Sequence, residues 1–237
     1  MSDVLERFLR YVRYDTRSDE RSTTYPSTDK QLLLLRDLVS ELQTIGLSDA
    51  AIDEYGYVTA TIPATSSNPN TPVIGFISHV DTSPEMSGAG VTPIVHRNYD
   101  GRDIVLPDDP SAVLRLDDVP ALAAQIGNDI VTASGRTLLG ADNKAGVAEI
   151  MTAAAHLVAH PEIPRGPVRI AFTPDEEIGR GTLHFDVTRF GAACAYTMDG
   201  GSRGEVESES FSADAMTLTF IGFNTHPGYA RGRMINA

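Results

Sequence analysis

Four stretches of this chain place imidazole or carboxylate groups directly after an apolar run and beside Gly or Pro. The first is His79-Val80-Asp81, which closes the run that begins at Val73. The others are Asp142 in "GADNKAG", Glu176-Glu177 in "TPDEEIGRG" and Asp199 in "MDGG". In an open α/β sheet, sites form at the carboxyl ends of the strands, so these four groups are expected to meet. Carboxylates brought together raise one another's pKa and destabilise the fold unless positive charge lies among them. Lys144 and Arg180 are the only basic residues near these motifs, and divalent cations suit the gathering better. One histidine among several carboxylates favours zinc, manganese or cobalt over magnesium or calcium.

The spacing divides the work. Side chains two apart in a strand point the same way, so Asp81 can accept the second ring N–H of His79 and aim the other nitrogen at a metal. Asp81 is therefore an orienting group and His79 a ligand. Glu176 and Glu177 are adjacent and cannot do identical jobs; one can hold a metal while the other faces a metal-activated water as general base. Taken singly, each motif also reads as a capped turn, a solvated acidic pair or an N-cap. Their recurrence at four strand ends turns the reading towards a metal site.

The remaining histidines carry less. His156 and His160 are four apart, but a metalloprotease helix requires Glu directly after the first His, and Leu157 stands there. They read as a helix C-terminus, where imidazole suits the dipole. His96 and His184 read as surface residues. His226, before Pro227-Gly228, reads on its own as a turn residue. Cys194 is the only cysteine, which rules out an internal disulfide and points to a reducing compartment; in "AACAY" it is expected to be a small buried residue.

The elements that must position these groups follow from periodicity. Val4, Leu5, Phe8, Leu9 and Val12 repeat at helical spacing behind Asp3. A second helix is expected from about Thr28 to Ile45, stopped by Gly46. Residues 52–62 read as a hairpin turning at Gly56. Val73–Ser78, Val168–Phe172 and Cys194–Met198 read as short apolar strands, and about Lys144–Leu157 as a helix. Residues 84–130 read as an excursion of small strands and loops. From Phe211, "FSADAMTLTFIG" alternates with period two, as a strand with one solvated face does, and "HPGYARGRMINA" reads as the opening of a helix. Strands alternating with helices predict an α/β domain with a mostly parallel sheet.

Composition sets the outer bounds. The 237 residues, 41% of them hydrophobic, suffice for one sizeable core. A formal net charge of −13 argues against a nucleic-acid partner, which needs a basic surface. No apolar run reaches the length of a membrane span, and the N-terminus does not resemble a signal peptide. The expected location is cytoplasmic.

The stretches "SHVDTSPEMSG", "LLGADNKAG", "FTPDEEIGRG", "YTMDGG" and "HPGYARGRMINA" together resemble the two-zinc M20 metallopeptidases. The resemblance implies a three-layer α/β zinc-peptidase domain over residues 1–208, with the β-rich insert at about 84–130. The beginning of an α+β lid and dimerisation domain would occupy 209–237. It implies that His79, Asp142 and Asp199 bind one zinc and Asp142 and Glu177 the other, Asp142 bridging, with a cis peptide after Asp142. Asp81 would orient His79, Glu176 would be the general base, and His226 the lid histidine that polarises the scissile carbonyl, in dimeric members from a neighbouring subunit. The implied reaction is release of the N-terminal residue from a tripeptide. The implied cofactor is two Zn²⁺, with Mn²⁺ or Co²⁺ as substitutes. A homodimer through the lid is implied if that domain is complete. Relatives in the family are longer and supply a further metal-binding histidine, and no histidine follows His226 here. The chain by itself is accordingly expected to bind the first metal more tightly than the second and to turn over little. Other M20 chemistries (dipeptidase, carboxypeptidase, deacylase) and a non-catalytic metal-binding fragment are the rival readings.

Overall fold

The computed structural model describes residues 3–210, 212–214 and 216–235. It divides into two compact units, Met1–Gly201 and Ser202–Ala237. The first unit runs α1 (Asp3–Tyr11), α2 (Gln31–Ile45), β1 (Ala51–Ile52), β2 (Val58–Ile62), β3 (Ile74–His79), β4 (Ile94–His96), β5 (Ile104–Val105), β6 (Val113–Leu114), β7 (Ile130–Thr132), α3 (Ala141–Ala159), β8 (Val168–Thr173), α4 (Val187–Phe190) and β9 (Cys194–Thr197).

Five strands form one sheet in the order β1-β2-β8-β3-β9. The strands that lead into the acidic motifs, β8, β3 and β9, are parallel, and β2 and β1 continue the sheet antiparallel. The nearly continuous apolar run of β8 belongs to a strand covered on both faces, and β8 is the central strand. Register then decides where chemistry can occur. His79 lies opposite Thr173, and Ile77 opposite Thr197. The three parallel strands therefore end nearly level, and the segments carrying Asp81, Glu176-Glu177 and Asp199 leave the sheet side by side.

One face of the sheet carries the main core. Leu34, Leu35, Leu38 and Leu42 of α2, spaced three and four apart, are fully buried and pack with Val147, Ala148 and Met151 of α3 against Val58, Ala60, Ile170 and Phe172. The α1 helix adds Phe8, Tyr11 and Val12 to the same cluster. Gly46 adopts φ 114° and its N–H caps the α2 carbonyls of Gln43 and Leu42, the predicted stop. The opposite face carries α4, whose Phe190 ring packs over Gly75.

At Gly146 α3 leaves no room for a side chain. A Cβ there would overlap the Met198 carbonyl oxygen, Asn143 Oδ1 and Ser78 Oγ. Two of these atoms adjoin Asp142 and Asp199, so this contact sets the spacing between two acidic motifs. Gly146→Ala is expected to lower stability by about 3 kcal/mol through overpacking against backbone. A urea-denaturation midpoint equal to that of the parent chain would contradict this.

The insert pairs β4 with β7 and β5 with β6, both antiparallel. It gathers its own small cluster of Tyr99, Ile104 and Leu122. Three expectations are corrected. Cys194 is exposed, because β9 is an outer strand of the sheet and all four of its residues are open to solvent. The period-two run 211–222 forms no strand among the described residues; the second unit pairs only Phe223 with Ile235, and alternation without a neighbouring strand has no ladder to join. Residues 226–237 form no α-helix among the described residues. They form a single 3₁₀ turn, Pro227–Tyr229, followed by Gly232 at φ 71°, a left-handed conformation that ends a helical path. Residues 211, 215, 236 and 237 lie outside the described residues.

Candidate metal centre

The histidine at the end of β3 is buried, and its ring is held from one side. His79 Nδ1 lies 3.1 Å from the Asp81 carbonyl oxygen and 3.3 Å from Asp81 Oδ1. The other nitrogen, Nε2, faces a ring of carboxylates: Asp142 Oδ1 at 3.0 Å, Glu176 Oε2 at 3.6 Å and Asp199 Oδ2 at 3.7 Å. Ligand atoms of His79, Asp142 and Glu177 fall within 4.8 Å of one another, as do those of His79, Glu176 and Asp199. The structure thus brings together His79, Asp81, Asp142, Glu176, Glu177 and Asp199. His226 belongs to the second unit, where its Nδ1 accepts the N–H of Gly228.

Local backbone explains each placement. Asp142 stands at the start of α3, where the first turn departs from helical φ/ψ at Asp142 and Asn143 and the peptide between them is cis. The carboxylate stands off the helix end, 72% exposed to solvent, with Oδ1 3.0 Å from His79 Nε2. Ser78 Oγ donates to the Asn143 carbonyl and ties this turn to β3. Asp81 does more than orient a ring. Its carboxylate is fully buried, and its two oxygens accept the backbone N–H groups of Glu176 (3.0 Å) and Glu177 (3.1 Å). One side chain therefore positions the histidine and both glutamates.

Electrostatics supports the need for a cation. Burial and the charges of Asp142, Asp81 and Glu176 push the Glu177 carboxyl above the usual range. Burial together with Asp142 and Glu176 pushes Asp199 up to about 6. Burial alone would lower the His79 pKa, but the Asp81 bond and the charges of Asp81, Asp199 and Glu176 outweigh it and raise it to about 9. Neither basic side chain near the motifs bonds these carboxylates: Lys144 Nζ donates to the Tyr14 carbonyl at 2.8 Å, and Arg180 donates to the carbonyls of Ser22 and Glu20. A donor set of one imidazole and four carboxylates, short of positive charge, fits divalent metal. Each of the two groups takes His79 with one glutamate and one aspartate: Asp142 and Glu177 in the first, Glu176 and Asp199 in the second. The carboxylates close on His79 itself.

Replacing Asp81 by Asn would remove the charge that holds the histidine tautomer and set an NH₂ against one of the two glutamate amides. Asp81→Asn is expected to weaken divalent-metal affinity about 10- to 100-fold in a calorimetric titration; parent-like affinity would show that Asp81 does not govern the centre.

Two features escape a sequence reading. One is Asp81's grip on the Glu176 and Glu177 amides. The other is Asp175, fully buried directly before them and bonded to Ser27 and Gln31. A polar Gln31 opening the leucine-rich α2 is the only sequence signal of the second. A concavity of about 360 Å³ in the insert, lined by residues 96–100 and 102–105, shares no residue with the cluster. Arg97 and Arg102 on its wall are already paired with Asp129 and Asp100.

Residues 134–218, which include Asp142, both glutamates and Asp199, match the model of Peptidase family M20/M25/M40. The fold is shared with the crystal structures of aminopeptidase PepT from Bacillus cereus (TM-score 0.59, 22% identity, 84% of this chain and 43% of that one) and of a tripeptidase from Staphylococcus aureus (TM-score 0.56, 22% identity, 84% and 43%). Over residues 134–218 the chain is similar to this peptidase family, and its fold is α/β. Over its full length it is similar to peptidase T. It is 54% identical to peptidase T of Clostridium acetobutylicum across 237 residues, all of this chain and 58% of that protein. To peptidase T of Bacillus subtilis it is 53% identical across 235 residues, 99% of this chain and 57% of that protein. The chain spans a little under three-fifths of the length of these relatives. Among the described residues no helix is long and apolar enough to cross a membrane.

Proposed function

We propose that the chain carries the metal-binding and proton-transfer residues of a tripeptide aminopeptidase. The observation that supports this best is the convergence of His79, Asp142, Glu176, Glu177 and Asp199 with no lysine or arginine bonded among them in the described residues. His79, Asp142 and Asp199 would hold one cation and Asp142 and Glu177 a second, zinc being the ion that suits the donor set. When bound, such cations polarise a peptide carbonyl and lower the pKa of a water molecule.

The chain's own residues account for the remaining work. Asp81, fixed by two backbone amides, holds the His79 ring so that Nε2 faces the cluster. Glu176, whose side chain is 53% exposed and 3.6 Å from His79 Nε2, is placed to take a proton from the attacking water and return it to the leaving amine. Glu177, half-buried beside it, is better suited to hold metal. His226 is assigned, from the family resemblance, to polarising the scissile carbonyl.

The domain reading belongs to the same proposal: residues 1–208 contribute to the catalytic domain, and 209–237 to a lid through which a homodimer would form. The expected substrate is a short peptide free at its N-terminus. A substrate panel on the full-length protein tests this. Release of the first residue from tripeptides, with dipeptides and N-acyl amino acids left intact, is the expected result. Cleavage of dipeptides or N-acyl amino acids in place of tripeptides would favour another M20 chemistry.

A further inference from the structure

We infer that Asp175, Ser27 and Gln31 form a positioning clamp that fixes the two glutamates of the metal centre; this deepens the metal-centre reading and rests on it. Asp175 immediately precedes Glu176. It is fully buried and adopts φ 58°, ψ 28°, a left-handed conformation that costs a residue other than glycine free energy. Such strain persists where the surroundings over-determine it, and here they do.

The Asp175 carboxylate accepts the Ser27 N–H at 2.6 Å, the Ser27 hydroxyl at 2.5 Å and the Gln31 amide at 2.7 Å. Gln31 Oε1 returns the bond by accepting the Asp175 N–H at 3.1 Å. The Asp175 carbonyl accepts the N–H of Arg180, closing the turn. A buried carboxylate is costly unless its lone pairs are filled, and the donors here come from one place, the segment that opens α2. With Asp81 holding the next two amides, residues 175, 176 and 177 are each fixed by a side chain from elsewhere in the chain.

The same segment also reaches the histidine strand. Ser18 donates its N–H and its hydroxyl to the Thr82 carbonyl, and Thr82 N–H donates to Thr16. Residues 16–31 thus link the end of β3 to the glutamate turn by a route independent of the sheet. Metal ligands and a general base need placement to within a fraction of an ångström. A bidentate glutamine and a serine aimed at the residue beside both glutamates supply that restraint.

The test separates positioning from plain stabilisation. Zinc affinity and thermal midpoint are measured on the full chain for the parent, Gln31→Met, Ser27→Ala and Ile62→Val. Gln31→Met keeps bulk but loses both amide bonds. Ser27→Ala loses one donor and keeps the backbone bond, so it remains informative should the first variant fold poorly. Ile62→Val trims the core away from the site. The expected result is a loss of zinc affinity of about 10-fold or more in Gln31→Met, a smaller loss in Ser27→Ala, and parent-like affinity in Ile62→Val despite a lower midpoint. Parent-like affinity in both clamp variants would overturn the inference and leave the metal centre standing. Absence of zinc binding by the parent would overturn both.

Discussion

Glu176→Gln is expected to cut peptide turnover by the full-length protein by about 10²- to 10⁴-fold while leaving metal binding close to that of the parent. The size follows from the role: general acid–base transfer contributes that range, and an amide can neither take the proton nor return it. The sparing of metal follows from the proposed division, in which Glu177 and not Glu176 is the ligand. The backbone N–H of residue 176 would still donate to Asp81, so the turn should keep its shape. Steady-state kinetics paired with calorimetry checks both halves. Loss of a metal along with activity would instead make Glu176 a ligand, the alternative that its grouping with His79 and Asp199 raises.

His79→Ala is expected to lower divalent-metal affinity by more than about 100-fold, beyond the loss typical of an orienting partner, because the one imidazole in the cluster goes with it. The same residue gives binding a pH dependence. Metal must displace a proton from a ring whose pKa is held up at about 9 in the metal-free chain, so apparent affinity should rise as pH climbs from 6 towards 9, with proton release visible in buffers of differing ionisation enthalpy. The metal-free fold moves the other way. The raised His79 pKa contributes stability in full below 6.5, the ordinary value, and loses it as pH passes through about 9. Metal-free and zinc-loaded melting curves should therefore diverge with rising pH. In His79→Ala the part of each trend between about pH 7 and 9 should be lost, leaving that of the carboxylates near pH 6.

The acidic cluster is largely legible in the sequence because His79, the glutamates and Asp199 lie at or just past the ends of apolar strands; Asp142 is the exception, since no strand precedes it and it stands in the first turn of α3. Once β8, β3 and β9 pair in parallel with level ends, His79, the glutamates and Asp199 have nowhere else to go. What stays hidden depends on pairings that periodicity does not encode. Asp175 reads as one more acid in "TPDEEIG" because its partners lie 144 and 148 residues away. Cys194 sits in an apolar run that argues for burial, yet burial depends on what covers a strand, and β9 lies at the edge of the sheet. The alternating run at 211–222 has the pattern of a strand, but a strand is a property of a pair, and among the described residues the second unit offers only the bridge of Phe223 with Ile235. Gly232, at a left-handed φ, similarly outweighs the helical look of the residues around it.

Anomalous diffraction from a zinc-soaked crystal of the chain bears most directly on whether these acids converge around metal. The predicted result is a peak within ordinary zinc–ligand distance, about 2 Å, of His79 Nε2, with Asp142 among its ligands and the carboxylates turned outward from the ring to admit the ion. Anomalous signal found only elsewhere on the protein, with Asp142, Glu176 and Asp199 still closed on His79, would contradict it.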